Sequence, residues 1–190
     1  MTDEEKNEIS EKQIVVFNLG NEEFGVDIND VKEIIRFQKI TPIPNTAEYI
    51  LGVLNLRGGI VVIIDLNQKL GYEPKEFNEN TRIIIIEIED SIIGMVVENA
   101  TEVTKLSLNQ IEPAPTIITE KINADYIQGV AVINDRLLIL LDFKKVLKSK
   151  DINNIENISH ENFNDEEHID EKDINEENLN GEKLNEDSNK

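Results

Sequence analysis

The chain has 190 residues, a formal charge of −20 and no cysteine. That length allows one ordinary domain or two very small ones packed together, and the missing thiols exclude disulfide frameworks, thiolate nucleophiles and zinc–thiolate sites. The acidity is concentrated at the ends, with 14 Asp and Glu against 4 Lys in residues 149–190 and 5 against 2 in residues 1–12; an acidic body with an acidic tail argues against nucleic acid and anionic membrane surfaces as partners.

Residues 1–12 are too charged for a signal peptide and read as a flexible N-terminus. No apolar run is long enough to span a bilayer, so a soluble, cytoplasmic protein without membrane insertion is expected. From residue 13 to 148 the chain changes character. Short β-branched runs follow one another: Ile14–Leu19, Phe24–Ile28, Leu51–Leu56, Ile60–Leu66, Ile83–Ile88, Ile92–Val97, Ile127–Ile133 and Leu137–Leu141. Each reads as a strand. Gly20-Asn21, Gly58-Gly59, Glu89-Asp90-Ser91 and Asn134-Asp135 are short enough to join antiparallel neighbours.

Helix is expected in two short pieces, Asp30–Phe37 behind an Asn29 cap and Phe143–Lys148 at the end of the body. In the first, Val31, Ile34 and Ile35 form an i, i+3, i+4 stripe that would dock the helix on the core or offer a partner surface. Pro42-Ile43-Pro44 stiffens the link into the next strand and blunts an edge. Beyond residue 148 the composition is Asn, Glu, Asp and Lys with Ile169, Ile174, Leu179 and Leu184 at five-residue spacing, which walks around a helix instead of forming a face. Residues 149–190 therefore read as a disordered acidic tail, with a short docking motif around Phe163 as the other reading.

The body contains a repeat. Y-I-L-G-V-L-N-L-R-G-G-I-V-V-I-I-D-L from Tyr49 aligns without gaps on Y-I-Q-G-V-A-V-I-N-D-R-L-L-I-L-L-D-F from Tyr126, pairing Gly52 with Gly129 and Asp65 with Asp142. Upstream, G-V-D-I-N-D-V-K-E-I from Gly25 lies on G-M-V-V-E-N-A-T-E-V from Gly94. The fold class that follows is all-β: two copies of a five-stranded unit, folded as two small barrels with a cleft where they meet, or as one larger sandwich.

Catalytic chemistry has little to work with. The two histidines, His160 and His168, lie in the tail, so a Ser-His-Asp triad or a histidine metal site is excluded from the body, and no cofactor is implied. The repeat-related Asp65 and Asp142 could make a paired-acid hydrolase, or each could cap the helical turn that follows it. A small-molecule sensor using the cleft is a further possibility. Gly58-Gly59 is a hairpin tip and no phosphate loop, because no G-x-x-x-x-G-K-[ST] occurs. Arg57 stands at that tip where the second copy has Asn134. The fold does not demand arginine there, so Arg57 is either a binding anchor, a solvated turn residue, or a bridge to a carboxylate of the neighbouring barrel.

These residues, in this order, resemble the CheW chemotaxis adaptor family: F-N-L-G-N-E-E-F-G-V-D-I, V-K-E-I, N-T-x-x-Y-I-x-G-V-x-N-L-R-G, V-x-I-I-D-L, G-M-V-V, I-x-P-A-P and Y-I-x-G-V, spanning about residues 13–148. The resemblance implies two SH3-like five-stranded barrels around a hydrophobic groove. It also implies a non-enzymatic scaffold that couples the cytoplasmic tip of methyl-accepting chemotaxis proteins to the regulatory domain of the histidine kinase CheA, in arrays at the inner face of the membrane. By matched motif, Arg57 with Asn55, Leu56 and Gly58 of N-L-R-G, and Val31, Glu33 and Ile34 of V-K-E-I, would belong to the partner surfaces.

Overall fold

The computed structural model describes residues 11–88, 91–147, 151 and 155. Ten strands and three short helices run in chain order: β1 (Glu11–Leu19), β2 (Glu22–Asp27), β3 (Val31–Arg36), β4 (Ile50–Leu56), β5 (Gly59–Asp65), α1 (Leu66–Leu70), β6 (Arg82–Ile88), β7 (Ser91–Val97), β8 (Asn99–Ser107), α2 (Thr116–Thr119), β9 (Ile127–Ile133), β10 (Arg136–Leu141) and α3 (Phe143–Val146). All eight expected strands are present. The turn expected at 89–91 lies largely outside the described residues, as does the tail beyond residue 155.

The sheets are not the two sequence copies. One sheet has the order β8-β1-β2-β10-β9 and the other β3-β6-β7-β5-β4. In repeat terms the two orders are identical, because β1–β5 correspond to β6–β10. Each sheet thus takes the first two strands of one copy and the last three of the other. The parallel contacts, β2 with β10 and β5 with β7, join strands from different copies. We call the first sheet barrel A and the second barrel B.

Each barrel is closed between its edge strands by a segment that the repeat also duplicates. In barrel B, Thr41 exchanges both backbone bonds with Val53 of β4, at 2.9 and 2.8 Å; in barrel A, Glu112 does the same with Val130 of β9, at 2.8 and 2.8 Å. The two closing residues sit in I-T-P-I-P and I-E-P-A-P, a third correspondence between the copies. Proline immediately after the paired residue has no N–H to extend the ladder, which limits closure to one bridge. Gly52 and Gly129, paired in the repeat, lie where the closing segment crosses. A Cβ on Gly52 would stand 2.0 Å from the Thr41 carbonyl oxygen, and one on Gly129 would stand 2.7 Å from that of Glu112.

The residues 31–36 are a strand, and the expected helix Asp30–Phe37 is corrected. Asp27 instead caps a single 3-10 turn, Ile28–Asp30, by accepting from the Asn29 backbone N–H. Val31, Ile34 and Ile35 are β-branched and stiff in a helix, and β6 offers a ladder from Val31↔Ile86 to Arg36↔Arg82. The second copy carried the signal, since its equivalent A-T-E-V has no helical stripe and forms part of β8. The start and end of the body also shift. Glu11 and Lys12 belong to β1, and Asp151 and Ile155 pack on the body beyond residue 148.

The core explains why the strands read as unbroken apolar runs. Alternate residues of one strand enter different clusters. Ile14, Val16, Leu106, Ala131, Leu138 and Leu140 fill barrel A, while Leu54, Val61, Ile63, Ile83, Ile85 and Val96 fill barrel B. The residues between them in sequence, including Val15, Phe17, Phe24, Ile139 and Leu141 from one sheet and Val62, Ile64, Ile84, Ile86, Ile93 and Met95 from the other, form a larger central core. Phe17 anchors it, with ring centroids 6.0 Å from Phe24 and 5.9 Å from Phe143. The junction between the two barrels is packed by this central core.

Two tyrosines tie the junction with hydrogen bonds. Tyr72, just past α1, donates to Glu22 of β2, and Tyr49, at the entry to β4, donates to Asp151. Burial first, and then the adjacent carboxylate, drives both phenols above their ordinary value. The folded state therefore holds a proton that the unfolded chain releases near pH 10, so this stabilisation is present below about pH 10 and is lost as pH climbs through the folded value. At about pH 10.5 the phenols of Tyr49 and Tyr72 should remain neutral by tyrosinate absorbance and ionise together with loss of the folded circular dichroism. The closure makes a second prediction. Gly52 has φ +136° and no room for a methyl group, so Gly52→Ala should cost about 2–4 kcal/mol in urea unfolding.

Candidate functional site

The N-L-R-G tip is a two-residue turn. Its left-handed residues are Arg57 (φ 55°) and Gly58 (φ 86°), while Gly59 already belongs to β5. The expected Gly58-Gly59 tip thus shifts by one residue. Two successive positive φ values match the twist of a hairpin and are ordinarily supplied by Asn-Gly or Asp-Gly, as at Asn134 (φ 50°) and Asp135 (φ 62°) in barrel A. Arginine has no side-chain feature that favours this conformation, and a left-handed residue of this kind costs about 1–2 kcal/mol. Asn55 supports the turn: its Oδ1 accepts from the Gly58 backbone N–H at 2.9 Å.

The strained backbone points the guanidinium across the barrel. Arg57 Nη2 lies 2.8 Å from Glu33 Oε2, with 77% of the arginine side chain exposed and 26% of the glutamate. β3 and β4 are the two edges of barrel B. The pair therefore spans the same barrel opening that Thr41 and Val53 close, and the expected alternative, a bridge to the other barrel, does not form. At this exposure the pair contributes little stability. Its effect is positional, holding an arginine in a fixed place at the surface.

The structure brings all seven residues singled out by motif to this seam. Val31, Glu33 and Ile34 lie on β3, and Asn55, Leu56, Arg57 and Gly58 on the end of β4 and its turn. Ile34 is 38% exposed. Leu56 is half-buried against the barrel B interior and Val31 against the central core, so their apolar surface serves mainly the fold. The register slips between Val31 and Glu33, which leaves Lys32 facing out to pair with Glu87 at 2.6 Å. The Val31–Ile34–Ile35 stripe of a helix is thus replaced by strand alternation, with Ile34 outward.

Barrel A repeats the arrangement by different means. Glu102 of β8 is the repeat counterpart of Glu33, and Arg136 Nη2 reaches it at 2.6 Å while Nη1 holds Glu23 at 2.9 Å. Arg136 corresponds in the alignment to Gly59, so the second barrel recruits its arginine two positions later than the first. Val103, the counterpart of Ile34, is 53% exposed, and Val132 and Leu137, directly paired across β9 and β10, are 61% and 46% exposed. Sequence reading treated this tip as an ordinary polar turn. The repeat glutamates Glu33 and Glu102 each hold an arginine, Arg57 and Arg136.

The repeat-related acids are helix caps. Asp65 accepts from the backbone N–H of Asn67 at 2.9 Å and from Gln68 Nε2 at 2.9 Å, starting α1. Asp142 accepts from Lys144 and Lys145 backbone N–H at 3.1 and 3.3 Å, starting α3. They end strands of different barrels, and each carboxylate serves its own helical turn. Among the described residues no group of three or more potential metal ligands gathers, and no helix is long and apolar enough to cross a membrane.

Two closed barrels of the same strand order, each with an arginine–glutamate pair at its seam, define a duplicated β-barrel protein. The comparisons with known proteins make the assignment particular. The CheW-like domain family matches residues 13–151, and the chain belongs to that family. It is 37% identical over 148 residues to the chemotaxis protein CheW of Klebsiella aerogenes, covering 78% of this chain and 89% of that one. With the chemotaxis protein CheW of Treponema pallidum it shares 33% over 150 residues, covering 77% and 88%. The crystal structure of the scaffolding protein TtCheW from Thermoanaerobacter tengcongensis superposes with a TM-score of 0.68 at 34% identity, covering 79% of this chain and 96% of that one. The chain is a chemotaxis scaffold of this family.

Because the fold would accept asparagine at the turn, Arg57→Asn should relieve the left-handed strain. The variant is expected to be more stable by about 0.5–1 kcal/mol after loss of the exposed ion pair, measured as a rise in thermal midpoint.

Proposed function

We propose that this chain is a non-enzymatic, cytoplasmic adaptor that joins the cytoplasmic tips of methyl-accepting chemoreceptors to the histidine kinase CheA. Its two partners engage separate faces, and the kinase's related regulatory domain packs barrel to barrel with this chain. The reading rests on one observation above all: an arginine is kept at a strained turn position, mostly exposed, and aimed by Glu33. A stabilising asparagine occupies the same position in the other barrel. Strain retained where the fold offers a cheaper residue is the mark of a functional demand. Ile34 and the Arg57–Glu33 pair supply the mixed apolar and charged composition of a protein-binding patch. The family membership makes partners of this class the natural ones for the patch.

Arg57→Glu places two acids side by side at the seam without touching a core cluster. The full chain carrying it should fold and melt cooperatively, while its affinity for the kinase regulatory domain or a receptor signalling fragment falls by about 30-fold or more, the scale of an interface hot spot. Calorimetric titration against each partner reads the result. Wild-type affinity for both partners in a folded Arg57→Glu variant would remove this residue from the proposal.

A further inference from the structure

Past the barrels, Ile155 is buried in the body and Asp151 is largely sheltered against it. Asp151 and Ile155 lie four residues apart, the spacing at which two side chains share a helix face. Asp151 Oδ2 lies 2.8 Å from Lys69 Nζ, with side chains only 14% and 8% exposed. Its other oxygen accepts from the Tyr49 hydroxyl, and the Lys69 ammonium stands 4.1 Å from the centre of the Tyr49 ring. Carboxylate and aromatic face therefore share one sheltered cation. Ile155 is 0% exposed, inside the central core that also holds Tyr126, Phe143, Val146 and Leu147. Tyr49 and Lys69 come from the entry to β4 and from α1, on barrel B, whereas α3 follows a strand of barrel A. The family match ends at residue 151, so Ile155 lies beyond it.

A lysine this sheltered is costly without a carboxylate beside it, and an apolar slot next to it is costly left empty. Together they specify a ligand pattern: an acid and, at a fixed spacing after it, an aliphatic side chain. We propose that Tyr49, Lys69 and the adjoining central core form a docking site for a segment carrying an acid and, four residues later, an aliphatic side chain, and that the chain keeps it filled in cis with its own Asp151 and Ile155. Asp151 follows Leu147 by four residues, and so short a tether gives an effective concentration on the order of millimolar. A free segment of the same pattern is excluded while the cis segment is in place. This inference rests on the C-terminal contacts and is independent of the partners assigned to the Arg57 seam.

The test uses the full chain, wild type and Asp151→Ala/Ile155→Ala, with a labelled peptide of residues 148–158 as the probe in fluorescence anisotropy. The folded double variant should bind the peptide, the wild type should bind it at least about tenfold more weakly because its own segment competes, and Asp151→Lys in the peptide should abolish binding. A folded double variant that fails to bind the peptide, or a wild type that binds it equally well, overturns the proposal. Should the double variant not fold, Ile155→Ala alone is read by the same two criteria.

Discussion

Two-sided burial of the strands is the constraint on which the rest of this molecule depends. A strand has two faces, and in β1, β5, β6, β7 and β10 one face fills a barrel while the other fills the junction. Ile83–Ile86 shows the consequence most directly, since successive isoleucines alternate between the barrel B interior and the central core. Such strands have almost no polar side of their own. The edges that remain, β3 and β4 in one barrel and β8 and β9 in the other, must be closed by the I-x-P-x-P segments. Chemistry for recognition is then confined to seams, hairpin tips and the segments that bridge them, which is where Arg57, Glu33, Arg136 and Glu102 lie.

Exchange of strands between the two sequence copies strengthens this constraint. Neither copy can form a closed barrel from its own residues, because β3, β4 and β5 pair with β6 and β7. Separation of the barrels would expose the central core and would also leave each first hairpin without its neighbours. A rigid relation between the two seams follows from topology, before any partner binds. That rigidity removes an ordering cost which flexible linkage between the barrels would impose on any binding step.

Much of this was legible in the chain, and what was not fails for identifiable reasons. The eight β-branched runs and the duplication showed themselves through local pattern. Residues 31–36 misled because Val31, Ile34 and Ile35 satisfy a helical stripe, and the ladder that overrules it comes from β6, some 50 residues away. The exchange of strands was invisible, since a repeat establishes which strands are equivalent and is silent on which copy each one pairs with. Arg57 stood out because its counterpart is Asn134, a comparison internal to the sequence. Its partner Glu33 is named by resemblance to a family, and the shared arginine–glutamate pairing shows only in the structure, where Arg136 reaches Glu102 from a different position. Asp151 and Ile155 were hidden by their setting, an acidic, asparagine-rich stretch whose composition argues against any packed structure.

The C-terminal contact makes a separate point about buried charge. Hydrophobic residues in place of Lys69, Tyr49 and Asp151 could serve stability as well or better, because a sheltered ion pair gives back in attraction little more than it loses in desolvation. What an ion pair supplies and a hydrophobic patch does not is discrimination. A slot lined only by aliphatics would accept any apolar side chain. A lysine held against a tyrosine ring favours a segment that brings a carboxylate into register. The same logic governs the Arg57 turn, where a residue unfavourable to the hairpin is retained and oriented. In both places the chain accepts a local cost within a fold whose central strands are buried on both faces.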